Sequence, residues 1–593
     1  MTTLAHVRRG TMAGPFGRGS LAVARRPMCG LPYRIRAPLA RLVDSKKDGT
    51  TQAAASPTLG DGEKLEAGAT APDYVRLALT SRVYDMIGES PLQYASGLSA
   101  RYECDVHLKR EDLLPSFSYK LRGAYNLLAN LPQGKNKSVI TYSVGSQGHS
   151  VAVAARALGM QATVVMPERT PIKRRQAIER AGAHVVVAGA SLKDAQMHAQ
   201  AVAASSGDLT LIEPHDDPYV ISGQATAGLE VVRQVGASLI ERGDGSQDLD
   251  AIFVVAGGSS LLAGVAAVFK QTMPRTKIIG VEASSADLLH RSLLQGHRLE
   301  VPEPAHFVDG AAVRQLGSEV FRLCNELVDD IVVVDDDEIC AAVRDAFEDT
   351  RAVLEPAGAV AIAGLKKYVG SLPAPPPGGS RGNFVAISSD ASNIEFDILR
   401  FIAERAAIGE QREKLFALRM PDREGMFFDM YRAVQPRLVT EFVYRHAPQH
   451  KDALVYMSME AAGSDDAKTF SDEVLSSLDH LGVVGMDITG DELGKSHARS
   501  LAGGRAGNIP GERIVRIEFP ENAGGLMQFL GGLRKEWFLT MLHYRNHGGQ
   551  VGKVLAGVSV PDADQAAFTG MIDSLGYVYT DETDNRLYTD YMK

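Results

Sequence analysis

Short runs rich in β-branched residues, apolar on both faces, recur along the first two-thirds of this chain, each followed by a longer stretch of helical periodicity. They are Ser138 to Ser143, Gln161 to Pro167, Ala183 to Gly189, Ala251 to Gly257, Lys277 to Ala283 and Asn383 to Ser389. A strand wetted on one face alternates polar and apolar residues. A strand apolar on both faces needs helices on both sides, as in parallel sheets. The expected class is therefore α/β, with mostly parallel sheets and helices on both faces. The proline-rich stretch Leu372 to Gly382 reads as a surface loop just before the last of these strands.

From about Lys414 the pattern changes and repeats itself. Leu415 to Val434 parallels Ile514 to Leu533, with Pro421 against Pro520 and Gly425 against Gly524. Tyr444-Arg445 echoes Tyr544-Arg545, Met457-Ser458-Met459 echoes Val558-Ser559-Val560, and Leu481-Gly482 echoes Leu575-Gly576. Each copy reads as strand, Pro/Gly turn, helix and further strands, so two α+β units of βαββαβ type are expected. Such a pair either senses a small ligand or builds an oligomer interface.

Length and charge narrow the function classes. At 593 residues the chain exceeds one hydrophobic core. A net charge of -9 without clustered Lys and Arg argues against nucleic acid. Cys29, Cys104, Cys324 and Cys340 form no CxxC or Cys/His cluster, so neither a disulfide framework nor a metal site is signalled. No apolar run approaches the roughly 20 residues that cross a bilayer, so no membrane association is expected. From Met1 to Val43 there is no Asp or Glu, while arginine recurs at Arg8, Arg9, Arg18, Arg25, Arg26, Arg34, Arg36 and Arg41. That is the composition of a transit peptide, leaning to a mitochondrion rather than a plastid; a disordered basic tail is the alternative. The expected division is 1–72 transit segment, 73–410 catalytic domain, 411–506 first regulatory unit and 507–593 second.

Three places carry candidate chemistry. In Ser116 to Asn126 (SFSYKLRGAYN), Lys120 stands at a helix start, where the positive dipole end disfavours a cation. Most lysines are solvated surface charges; a lysine placed here is explained if its amine is bonded to an aldehyde, and a burial-depressed pKa would help it act as a base. Val255 to Gly264 (VAGGSSLLAG) runs from a strand end into a helix. Its backbone N–H groups and the hydroxyls of Ser259 and Ser260 would cradle a phosphate, though many such turns are only tight connections. Ser388, at the end of the NFVAISS run, suits a donor to a neutral pyridine nitrogen; strand-end serines also serve as turn formers and caps.

Taken together these residues resemble the fold-type II pyridoxal-phosphate enzymes, and within them the threonine ammonia-lyase (threonine dehydratase) family with its tandem ACT-like regulatory pair. The resemblance runs from about Asp73 to the C-terminus. It rests on SFSYKLRGAYN, Val220 to Glu230 (VISGQATAGLE), Val281-Glu282-Ala283, the block Phe321 to Pro356 and Gly409 to Lys414 (GEQREK). It implies that Lys120 holds pyridoxal 5′-phosphate as a Schiff base, that Gly257, Gly258, Ser259 and Ser260 bind its phosphate, and that Ser388 faces the ring nitrogen. Ser143 and Gly145 would contact the substrate. The implied reaction is loss of water and ammonia from L-threonine to give 2-oxobutanoate, the entry to isoleucine synthesis. Isoleucine as feedback inhibitor, valine as antagonist and a homotetramer are implied with it.

Three departures from the family pattern stand around this site. Where the family reads Ser-Ala-Gly-Asn-His-Ala-Gln-Gly, this chain has Ser143-Val144-Gly145-Ser146-Gln147-Gly148-His149-Ser150. Ser259 and Ser260 replace the last two glycines of the phosphate loop, and Ser389-Asp390-Ala391 replaces Gly-Ala-Asn after Ser388. One lost polar contact costs about 1–3 kcal/mol, or roughly ten- to a hundredfold in rate, whereas losing the lysine would abolish the chemistry. Altered rate or substrate preference is therefore expected rather than inactivity. Asp390 would strengthen the electron sink if it approached the pyridine nitrogen. The competing readings are a pyridoxal-phosphate lyase or racemase acting on serine or another hydroxy amino acid, and a non-catalytic amino-acid-binding regulator.

Overall fold

The computed structural model describes residues 72–592 except 133–137, 207, 243–248, 303–306, 422–425, 436, 438, 445–450, 462–466, 499–508, 521–524, 535 and 546–550. The arginine-rich N-terminal segment, Cys29 and the turn glycines Gly425 and Gly524 lie outside the described residues.

Ten strands build the first body: β1 (Leu92–Tyr94), β2 (Asp105–Arg110), β3 (Ser138–Tyr142), β4 (Gln161–Met166), β5 (His184–Val187), β6 (Leu209–Leu211), β7 (Ala251–Val255), β8 (Lys277–Ala283), β9 (Asp330–Val334) and β10 (Asn383–Ser388). They form a six-stranded sheet in the order β1-β2-β10-β7-β8-β9 and a four-stranded sheet in the order β5-β4-β3-β6. Every pair is parallel except β1 with β2. Five of the six doubly apolar runs are thus buried central strands, β7 with every residue buried, whereas the Ala183 to Gly189 run forms β5, an edge strand with no fully buried residue. The largest core cluster packs both faces of the six-stranded sheet, through Phe253, Phe269, Phe384, Ile362 and Leu365, and a second fills the four-stranded lobe. Cys104, Cys324 and Cys340 are buried free thiols. Among the described residues no helix is long and apolar enough to cross a membrane.

The repeat folds as two four-stranded antiparallel sheets. The first uses β11 (Glu413–Pro421), β12 (Val439–Tyr444), β13 (Asp452–Glu460) and β14 (Val484–Asp487), in the order β12-β13-β11-β14. The second uses β15 (Glu512–Pro520), β16 (Phe538–Arg545), β17 (Val551–Ser559) and β18 (Val578–Asp581), in the order β16-β17-β15-β18. The likeness extends to single hydrogen bonds. Leu415 N donates to Thr489 Oγ1 and Ile514 N to Thr583 Oγ1, each at 3.0 Å. Gly482 and Gly576 both adopt positive φ, +73° and +67°, where glycine carries no Cβ penalty.

One expected correspondence is shifted. Phe416 pairs with Met457 in the first copy, and its counterpart Val515 pairs with Ala556 in the second. The Met457 to Met459 run therefore matches Ala556 to Val558, two residues before the echo read from the sequence. A two-residue slip leaves every side chain on its face, so hydrophobic pattern alone does not detect it. The two units share a core of Leu415, Tyr456, Ile488, Ile514, Leu555 and Tyr588, into which Ile408 of the first body also packs.

A charge cluster ties the first body to both units. Arg405 donates to Asp337 (2.9 Å), to both oxygens of Glu492 (2.7 and 3.0 Å) and to Ser496 (2.8 Å). Lys495 donates to Asp337 at 2.6 Å, and Lys553 of β17 donates to Glu492 at 2.5 Å.

Candidate active site

Lys120 is the first residue of the helix Lys120–Ala129, and it is buried. Two backbone bonds stitch the segment before it to the loop after β10: Tyr119 N donates to Ser389 O (3.1 Å) and Ala391 N to Phe117 O (2.8 Å). The stitch places Asp390 beside the amine, and Lys120 Nζ donates to Asp390 Oδ2 at 2.5 Å and to Ser146 Oγ at 2.9 Å. Two of the three departure segments thus meet at the lysine. Asp390 binds the amine, which answers where this carboxylate goes.

The expected burial-depressed lysine is corrected by this contact. Burial does act to lower the Lys120 ammonium, yet the Asp390 carboxylate, with Tyr119 and Glu355 behind it, outweighs burial and the net direction is upward. Burial, the larger influence, raises the Asp390 carboxyl on balance, and Lys120 opposes it. With nitrogen and oxygen in contact in a dry pocket, the ion pair governs, as one ammonium against one carboxylate.

Two residues on, Arg122 in the same first turn is fully buried. It donates to both oxygens of Glu111 (2.6 and 2.8 Å) and both of Glu230 (2.7 and 2.9 Å). Lys109 of β2 donates to Glu230 at 2.6 Å. These bonds fix the start of the Lys120 helix against β2 and the helix Pro218–Arg242.

The loop after β7 is built for close approach. A Cβ on Gly257 would lie 2.2 Å from the Ala311 carbonyl oxygen, and one on Gly258 would lie 2.4 Å from His215 Nδ1. Ser259 holds φ +58°, a left-handed conformation that costs a serine about 1 kcal/mol, and its hydroxyl donates to Gly257 O at 3.0 Å. Ser260 then opens the helix Ser260–Thr272. The His215 imidazole, pressed on this loop, stays neutral down to about pH 4 because burial, and then the Lys120 charge, lowers it.

Ser388 is buried at the end of β10, and its hydroxyl finds no partner. Ser143 accepts from Gly145 N and Gly148 N, both at 2.9 Å, so its oxygen holds its own turn together. Gly145 abuts Asn393, whose Oδ1 would lie 2.0 Å from an added Cβ. Asn393 N donates to Glu355 Oε2 at 2.6 Å. Burial, then the Asp390 charge, raises the Glu355 carboxyl to about 8. Sequence reading missed His215, Glu355 and Asn393. Glu355 falls inside the Phe321 to Pro356 block, but no spacing singles out any of the three.

The arrangement fits a flat, phosphorylated aldehyde. Buried atoms without partners include Ser260 Oγ on the glycine loop, Ser388 Oγ at the strand end, Asp390 Oδ1 beside the amine, Glu355 Oε1 and Asn393 Nδ2. Buried polar atoms in a folded protein are almost always paired, so this group of orphans marks a site that receives polar atoms from a ligand. The loop offers helix-end amides and a hydroxyl to a phosphate, Lys120 offers an amine, and Ser388 offers a donor.

Comparison with known proteins agrees. Residues 83–377 match the family described as pyridoxal-phosphate dependent enzyme, and residues 404–497 and 503–592 each match the C-terminal regulatory domain of threonine dehydratase. The mitochondrial threonine dehydratase of Saccharomyces cerevisiae is 44% identical over 530 residues, 88% of this chain and 89% of that one. A biosynthetic L-threonine dehydratase of Escherichia coli K12 is 37% identical over 536 residues, 90% of this chain and 100% of that one. Among solved structures, the processed form of threonine deaminase isoform 2 from Solanum lycopersicum is 40% identical with a TM-score of 0.52, covering 56% of this chain and 88% of that one. With the family models matching both the body and, twice, the C-terminal regulatory domain, and with relatives matching nearly end to end, this chain belongs to the pyridoxal-phosphate-dependent threonine dehydratase family, with its regulatory domain present in two copies.

Proposed function

We propose that this chain converts L-threonine to 2-oxobutanoate and ammonia, using pyridoxal phosphate held at Lys120, and that its paired C-terminal units bind isoleucine as a feedback inhibitor. The observation that carries the reading is the buried Lys120 amine among unpartnered polar atoms. Pyridoxal phosphate, when bound, supplies an electron sink for the substrate Cα. Gly257 and Gly258 let the loop pack directly on Ala311 and His215, and its amides with Ser259 and Ser260 would hold the phosphate. Ser388 would donate to its ring nitrogen. Lys120, once displaced by the substrate amine, is the group that removes the Cα proton. Gly145 and the turn held by Ser143 form the wall where the threonine carboxylate would rest.

Regulation has a physical route in this reading. The Arg405 cluster joins helix Asp336–Thr350 to Glu492 of the first unit and Lys553 of the second, so effector binding at either unit has charged contacts through which to bias the catalytic body. The proposal includes domain limits of 73–410, 411–506 and 507–593, a homotetramer, antagonism by valine and a mitochondrial site. The last rests on the acid-free, arginine-rich first 43 residues and on the two yeast relatives named mitochondrial; a tomato relative is named chloroplastic.

The test compares wild type with Lys120→Ala for visible cofactor absorbance and for 2-oxobutanoate released from threonine, with serine as a parallel substrate. Wild type should show both signals and the variant neither. A colourless wild type would refute the cofactor site, and pyruvate from serine without 2-oxobutanoate from threonine would refute the substrate. Titration with isoleucine should shift the threonine saturation curve, and an unmoved curve would refute the sensor role.

A further inference from the structure

We propose that Asp390 is the fixed counter-ion of the Lys120 nitrogen, keeping that nitrogen positively charged both as the free amine and after it has bonded to the cofactor aldehyde. The inference rests on the cofactor reading above and adds a residue that the family pattern, with alanine at this position, does not supply. The Lys120 and Asp390 side chains are 6% and 1% exposed, with Nζ and Oδ2 2.5 Å apart. Ser146 is the amine's second acceptor, and the Tyr119 ring centroid lies 4.8 Å from Nζ. Ser118 stands opposite Asp390 in a backbone bridge.

The other titratable groups facing this pair are quiet or already matched near neutral pH. Burial, then Asp390, keeps Glu355 protonated to about pH 8, and burial, then Lys120, keeps His215 neutral above about pH 4. Asp309 pairs with Arg174 at 2.5 Å. One ammonium and one carboxylate therefore balance each other in a space that water does not screen. Uncompensated charge there is costly, so the pocket favours any state that keeps the pair intact.

Bonding to an aldehyde can conserve that balance. The ammonium and the aldehyde combine to a protonated carbon–nitrogen double bond and one water: three N–H hydrogens become one on nitrogen and two on the departing oxygen, and the nitrogen keeps its single positive charge. Asp390 keeps its negative charge throughout. A positive nitrogen in turn makes the adjoining carbon the better target for a substrate amine.

The experiment is a pH titration of the visible band in the cofactor-loaded full chain, comparing wild type, Asp390→Asn and Asp390→Ala. The protonated double bond absorbs at longer wavelength than the neutral one. The wild-type band should persist to high pH, while the variants lose it at a midpoint lower by about one to three pH units, the usual effect of an opposite charge in contact. Asp390→Glu should restore part of the shift. Equal midpoints in wild type and variants would overturn the role of Asp390 while leaving the cofactor site standing, whereas no band in any protein would overturn the cofactor reading itself. If both neutral variants fail to fold, wild type still decides, because a wild-type band lost below pH 8 contradicts a fixed counter-ion.

Discussion

Glu230→Gln tests whether the support around the start of the Lys120 helix depends on charge balance. Lys109, Arg122, Glu111 and Glu230 form a quartet of two cations and two carboxylates, all with side chains 0% exposed. Glutamine fills nearly the same volume, so the change removes one negative charge and leaves a net positive charge facing bonds of 2.6, 2.7 and 2.9 Å. Removing one partner of a buried pair costs about 3–5 kcal/mol. Each kcal/mol lowers the melting temperature of a domain this size by about 2–4 °C, so a loss of roughly 6–20 °C is expected in a thermal melt. Lys109→Met combined with Glu230→Gln restores neutrality. The double variant should therefore melt above the value expected from adding the two single losses, with a coupling of at least about 1 kcal/mol. A single variant within about 2 °C of wild type, or a double variant equal to the sum of the singles, would refute charge balance as the cause.

Gly257→Ala sets a Cβ 2.2 Å from the Ala311 oxygen and 2.6 Å from its carbonyl carbon, and main chain cannot swing aside. At about 1–3 kcal/mol, cofactor affinity measured by dialysis should fall by roughly ten- to a hundredfold. Burial holds Glu282 at about 8, against the opposing amides of His290 and Leu289. Because the folded value lies above the unfolded one, near 4.5, this contribution is complete below the unfolded value and falls away as pH rises toward 8. Glu282→Gln should flatten the decline in melting temperature over that window, and an unchanged slope would count against it. Arg405→Met should weaken inhibition by isoleucine by about fivefold or more while leaving the cofactor absorbance in place; an unaltered inhibition curve would remove the cluster from the regulatory route.

Legibility followed the range of the interactions. The doubly apolar runs became strands near their expected limits, because a continuous hydrophobic run is a local signal of burial. Strand β2 was not anticipated: its sequence DVHLKR ends in two cations, and these are buried only because Glu230, 121 residues from Lys109, and Asp112 meet them. Lys120 and the glycine loop were readable as motifs, since a helix start and a strand-to-helix turn are defined within a few residues. His215, Glu355 and Asn393 were not, since nothing in their own neighbourhoods distinguishes them from ordinary loop residues.

Sequence by itself determined the parallel α/β body and the duplicated C-terminal unit, and it singled out the candidate lysine and loop, all from periodicity and short spacing. It also marked Asp390 as unusual. Only the tertiary structure decided what that carboxylate touches, because its partner lies 270 positions away and the choice between ring and amine turns on a loop stitched to the segment before Lys120. The direction of the lysine's proton affinity was decided there too: burial, which sequence suggests, and a contacting charge, which it does not, act in opposite senses, and at 2.5 Å the charge prevails.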